Sequence, residues 1–177
     1  MEGNKAMEEL KNSIRSIPDF PKQGILFRDI TTLLQDGPRF KQAAEIIAEK
    51  YKTKDISKVV AIESRGFIFG AVAAYKLNAG FIPVRKKGKL PAAVHEVTYQ
   101  LEYGTDTLQV HADAISTEDK VLIVDDLLAT GGTAQAVCQL VEKFGAEITG
   151  IEFLIELVEL KGIEKLKGYP VDSIIKF

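Results

Sequence analysis

The chain has 177 residues, 46% of them hydrophobic and 27% charged, which is the length and mix of a single globular core. Lys and Arg number 23 against 25 Asp and Glu, a formal net charge of −2. That balance argues against nucleic acid or an anionic membrane as partner, so any anion must be held by a local site. One cysteine, Cys138, excludes an internal disulfide and a cysteine metal cage and reads as cytoplasmic; His95 and His111 lack zinc-binding spacing. The longest apolar stretch, Gly66 to Tyr75, is too short to span a bilayer, and the first ten residues lack the apolar core of a signal peptide.

Met7, Leu10, Ile14 and Ile17 recur at helical spacing and predict an opening helix ended by Pro18 and Pro21. Residues 24–34 show no clean period. Phe40, Ala43, Ala44, Ile47 and Tyr51 mark a second helix. Val59 to Ile62 is a continuous β-branched and apolar run, expected of a parallel strand buried on both faces. A helix is expected over Gly66 to Asn78, closing near Gly80, and then a strand over Phe81 to Val84, where Pro83 argues against full hydrogen bonding. Residues 85–107 carry a basic cluster and turn signals but no firm helix. Pairing resumes at Leu108 to Val110. Val121 to Val124 is the strongest strand, followed by a helix with Ala134, Val137, Cys138, Val141 and Phe144 on one stripe and Gly145 as its cap. Strands over Ile148 to Val158 and at Ile174-Ile175 complete a strand–helix alternation. The expected fold is α/β, a doubly wound, mainly parallel sheet flanked by helices. Ligands of such sheets bind beyond the C-terminal strand ends, here after Ile62, Val84 and Val124.

After Val124 come Asp125, Asp126, then Ala129-Thr130-Gly131-Gly132-Thr133 and a helix. Two glycines can take positive φ and let amides converge on a concavity. The helix aims free amides and its positive dipole end at the same point, and two threonines add hydroxyls. This is a cradle for a phosphate. It is neither a P-loop, since no lysine stands in the turn, nor a dinucleotide fingerprint. Adjacent strand residues diverge, so Asp125 and Asp126 do not share a proton; accepting hydrogen bonds from vicinal ribose hydroxyls would explain acids beside a phosphate. Arg65 at the edge of another strand suits a polyanion. Arg85, Lys86, Lys87 and Lys89 put four cations in five residues at a third strand end. Ile25 to Asp29 offers an apolar slot at Leu26 and a stacking ring at Phe27.

Residues 121–134 resemble the donor signature of the type I phosphoribosyltransferase family. FPKQGILFRDIT (20–31), ESRGFIFG (63–70), RKKGKLP (85–91) and YQLEYG (99–104) resemble its adenine-specific branch, in order and spacing. The resemblance implies one phosphoribosyltransferase domain over 1–177, with an N-terminal hood at about 1–35 and a flexible lid at about 91–107. It implies a pentosyltransferase of purine salvage that converts adenine and 5-phospho-α-D-ribose 1-diphosphate to AMP and diphosphate. Diphosphate would meet Ser64 and Arg65, with a cis peptide at Glu63–Ser64, and Arg85, Lys86 and Lys89. Asp125 and Asp126 would take the ribose, and Ala129, Thr130, Gly131, Gly132 and Thr133 the 5′-phosphate. Glu102 would exchange a proton with the purine and Tyr103 would cover the reaction centre, while Leu26, Phe27 and the backbone near Arg28 would hold adenine. Glu102 and Arg65 are the expected catalytic residues. Mg²⁺ would arrive with the substrate, held by no side chain directly, with Asp125 and Asp126 reaching it through water. The resemblance further implies a cytoplasmic homodimer. Alternatives are a sister transferase for hypoxanthine, xanthine or orotate, a non-catalytic regulator that keeps the donor site, a nucleotide-activating synthetase, and a general phosphate-binding α/β protein.

Overall fold

A computed structural model describes residues 2–100 and 104–177, with side chains from residue 7. The chain divides into two compact units, Met1–Ile46 and Ile47–Phe177. No helix among the described residues is long and apolar enough to cross a membrane.

In the first unit helix α1 (Glu2–Asn12) is shorter than its apolar spacing predicts. Ile14 and Ile17 leave the helix, and Ile17 lies on strand β1 (Arg15–Pro18), paired antiparallel with β2 (Leu26–Asp29). The tie between them is buried Asp29, whose carboxylate takes Arg15 Nε at 3.1 Å and the Thr31 amide at 3.0 Å. The Arg15 guanidinium, then the Thr31 contacts, hold this carboxyl down at about 2. Long-range pairing therefore overrides the helical period at residues 14–17. It also orders residues 24–34, which hold β2 and the short helix α2 (Thr31–Gln35). Helix α3 (Gly37–Tyr51) follows.

The second unit is built on β3 (Lys58–Ile62), α4 (Gly66–Leu77), β4 (Gly80–Lys86), β5 (Val94–Gln100), β6 (Thr105–His111), β7 (Lys120–Leu128), α5 (Gly132–Glu142), β8 (Glu147–Glu156) and β9 (Val171–Lys176). The sheet order is β5-β6-β4-β3-β7-β8-β9, parallel from β4 through β9, with β5 and β6 antiparallel at one edge. Three expectations change here. Residues 94–100 and 105–111 are paired strands, of which only Leu108 to Val110 was expected; the β-pattern of the rest is hidden in the sequence by alternating charged and polar residues. The acids expected beyond Val124 lie inside β7, which runs on to Leu128 because β8 pairs with it along that length. Helix α4 closes on Asn78, in the left-handed conformation at φ 54°, before Gly80. Pro83 is accommodated because β4 meets β6 only at Arg85 and Lys86, beyond the proline.

The two helices take opposite faces of the sheet. Gly70 of α4 lies so close to Ala61 that a Cβ would overlap it. Val60 and Ile62, on the other face, join Val137, Leu140 and Val141 of α5 in the main core. The chain steps from β3 to β4 in one direction and from β7 to β8 in the other. The winding reverses between β3 and β7, and that reversal opens a crevice at their C-terminal ends.

Candidate active site

The crevice is a cavity of about 410 Å³. Its walls are Ile62 to Arg65 from the end of β3, Asp125 to Ala134 from β7 and the start of α5, and Phe153. One concavity thus joins Ser64, Arg65, Asp125, Asp126 and Ala129 to Thr133.

The turn is set by packing as well as by its own residues. Gly131 has φ +79° and caps α5, and a Cβ there would overlap the carbonyl of Gly162. Gly162 in turn sits against the Ala129 carbonyl with no room for a side chain. Two glycines 31 residues apart therefore clamp the loop, and the first α5 amides, which have no acceptor inside the helix, open on the cavity. Gly66 permits the same closeness on the facing side, where a Cβ would lie 2.7 Å from Asp125 Oδ1.

Asp125 Oδ1 accepts the amide of Asp126 at 2.9 Å. Asp126 Oδ2 lies 2.7 Å from Arg65 Nε, an ion pair by distance, and this buried oxygen has no hydrogen-bond partner among the described residues. Burial pushes both carboxyls up; the Asp126 charge adds to the rise at Asp125, and Arg65 opposes it at Asp126. Such acids gain from a ligand that offers hydroxyl donors.

The peptide between Glu63 and Ser64 is cis. Arg85, Lys86 and Lys89 stand outside the cavity lining. Arg85 Nε is 3.4 Å from Glu63 Oε2, Lys89 pairs with Glu63 Oε1, and the Lys86 amide donates to Glu63 Oε2 at 3.0 Å. Burial alone would raise the Glu63 carboxyl, but Lys89, the Lys86 amide and Arg85 outweigh it and hold it at about 2. Lys86 Nζ reaches Asp106 at 3.1 Å. Lys87, the member of the run without an expected role, pairs with Glu96 at the exposed surface.

Sequence reasoning passed over Glu63, Asp106 and Tyr99, whose hydroxyl lies 3.2 Å from Thr133 Oγ1. Their partners are 22 or more residues away or on another element, and no local signal marks them. Lys165 supplies a cation near the turn that the turn itself lacks: its Nζ would be 3.9 Å from a Cβ on Gly132. Leu26, Phe27 and Arg28 lie on β2 of the first unit. Leu26 is 47% exposed, Phe27 meets Phe20 edge-on at 5.1 Å, and Arg28 donates to Ser16. Glu102 and Tyr103 lie outside the described residues.

Residues 29–173 match the phosphoribosyl transferase domain. A protein of Trichormus variabilis named adenine phosphoribosyltransferase is 57% identical over 171 residues, 96% of this chain and 99% of its own. The chain belongs to the adenine phosphoribosyltransferase family. The solved adenine phosphoribosyltransferase of Thermoanaerobacter pseudethanolicus superposes with a TM-score of 0.93 at 51% identity, covering 97% of this chain and 99% of that one. The Saccharomyces cerevisiae member of the family, solved with D-2,5-dideoxy-2,5-imino-altritol 1,6-bisphosphate and adenine, gives 0.91 at 38% identity over 97% and 99%. The mainly parallel sheet, flanked by helices and carrying its crevice at the winding reversal, is the type I phosphoribosyltransferase fold.

Proposed function

We propose that the chain transfers the 5-phosphoribosyl group of 5-phospho-α-D-ribose 1-diphosphate to adenine, releasing AMP and diphosphate. The observation that carries this is the single cavity in which a phosphate-shaped turn, two strand carboxylates and Arg65 face one another. Adenine N9 bonds to C1′ as the C1′–O bond breaks, and its electron pair leaves on diphosphate. The N9 proton departs, with Glu102 as its exchange partner. The turn from Ala129 to Thr133 anchors the 5′-phosphate through amides and hydroxyls, and Asp125 and Asp126 accept from the ribose hydroxyls. Ser64 and Arg65 receive diphosphate, joined by Arg85, Lys86 and Lys89 once these exchange their carboxylates for it. Holding both ends of the donor orients C1′ toward the base, which lowers the barrier chiefly by position and charge. Leu26 and Phe27 stack on adenine, backbone near Arg28 reads its amino edge, and Tyr103 keeps water from the ribosyl centre.

The open lone pair of buried Asp126 Oδ2 fits an outer partner of a hydrated cation. Asp125 and Asp126 would hold Mg²⁺ through water, and the ion when bound neutralises diphosphate charge. A hood over residues 1–35, a lid over 91–107, a homodimer and a cytoplasmic location belong to the same reading, and sedimentation of the purified chain tests the dimer.

The deciding assay mixes purified chain, adenine and the ribosyl donor and follows AMP and diphosphate. They should form one for one. Equal or faster turnover of hypoxanthine would overturn the base assignment, and no AMP at all would overturn the reaction.

A further inference from the structure

The antiparallel pair β5–β6 sets Tyr99 directly opposite Asp106, so both side chains leave the same face of that pair. Their contacts run to different places. The Tyr99 hydroxyl meets Thr133 Oγ1 at 3.2 Å, in the turn that begins α5. Asp106 holds Lys86 in the basic cluster. Tyr99 itself is absent from the cavity lining, whereas Thr133 is part of it. Thr133 has one hydroxyl hydrogen and two lone pairs. If it accepts from Tyr99, its own hydrogen is free for an anion in the cavity; if it donates to Tyr99, that hydrogen is lost to the anion. Burial raises the Tyr99 hydroxyl above its ordinary range, against the contact with Thr133 and the charge of Lys86, which lower it, so the phenol keeps its proton and has one to give to Thr133 Oγ1 at 3.2 Å.

We infer that Tyr99 is a positioning residue for the phosphate end of the donor: its hydroxyl donates to Thr133 and so turns the Thr133 hydrogen into the cradle. This rests on the reading that the cradle takes the 5′-phosphate. Tyr99 touches no reacting atom. It acts through Thr133 and affects binding of the sugar phosphate alone.

The test measures affinity for ribose 5-phosphate, for inorganic diphosphate and for adenine, with kcat, in the full chain and in Y99F, T133V, T133S and the Y99F/T133V double variant. A hydrogen bond to a bound anion corresponds to about 10- to 100-fold, and losing only its orientation, with the Thr133 hydroxyl still present, to about three- to tenfold. Y99F should weaken ribose 5-phosphate and raise the donor KM by the smaller factor, leaving diphosphate affinity, adenine KM and kcat unchanged. T133V should lose at least as much, Y99F should add nothing in the T133V background, and T133S should restore most of the affinity. Loss in T133V with none in Y99F overturns the inference and spares the cradle. No loss in either overturns the placement of the phosphate. Equal loss for all three ligands in Y99F, or additive loss in the double variant, shows a merely structural tyrosine and also overturns the inference.

Discussion

The cavity wall made by β7 and α5 and the basic cluster around Glu63 are assembled in opposite ways. The first is nearly contiguous, with Asp125 to Thr133 spanning one strand end and one helix start. The second draws on the end of β3, the end of β4 and the loop beyond it, and its cations are already paired with carboxylates. A contiguous site keeps its geometry with or without a ligand, because the strand and helix are fixed by their own cores. A gathered one holds its cations in an internal exchange that an incoming anion must win. Disturbing the first should therefore destroy shape, and disturbing the second should retune affinity.

The largest expected effect is at Gly131. Gly131→Ala puts a Cβ onto the Gly162 carbonyl at a positive φ. It should cost about 2–4 kcal/mol of stability by thermal melting and abolish measurable transfer. A variant as stable and active as the parent would show that the loop is not clamped. Asp125→Asn and Asp126→Asn come next. Each should raise the donor KM by about 10- to 100-fold, the range for a hydrogen bond to a charged group, with adenine KM little changed. Equal losses for both substrates would place the acids elsewhere in the chemistry.

Glu63→Gln sharpens the contrast from the other side. Removing the competitor should tighten inorganic diphosphate by about threefold, on the scale of one ion pair whose cation reaches solvent, measured by calorimetry; weaker binding would mean that Glu63 preorganises the cations. The same variant tests a pH dependence. The Glu63 carboxyl is depressed to about 2 from 4.5, so the folded state binds this proton less readily than the unfolded chain. Its stabilisation is full above about pH 4.5 and lost as pH falls toward about 2. The stability gap between parent and E63Q in urea should accordingly narrow across that window. Smallest is Lys87→Ala, which breaks a 3.5 Å pair between exposed partners. It should change stability by less than about 0.5 kcal/mol and leave transfer unchanged.

Much was legible beforehand where information is local. The strands at residues 59–62 and 121–124 are runs of apolar residues buried on both faces, and such runs need no partner to be recognised. The turn after them carries its glycines and threonines in sequence. Residues 14–17 misled because the apolar spacing of Leu10, Ile14 and Ile17 continues the helical period past Asn12, while residues 15–18 pair with 26–29 through a contact between Arg15 and Asp29 that no local pattern shows. The strand at 94–100 and the start of the one at 105–111 were hidden because their exposed positions are charged or polar and only their mutual register reveals them, while Leu108 to Val110 stood out by its apolar ends.

By itself the order of residues determined the parallel sheet, the phosphate-shaped turn and the acids beside it, since each depends on neighbours within a few positions. Which glycine closes the turn, which carboxylate gathers the cations and which tyrosine meets Thr133 were decided only in three dimensions. Those contacts join segments 22 to 34 residues apart, and their distances follow from how the sheet stacks its strands.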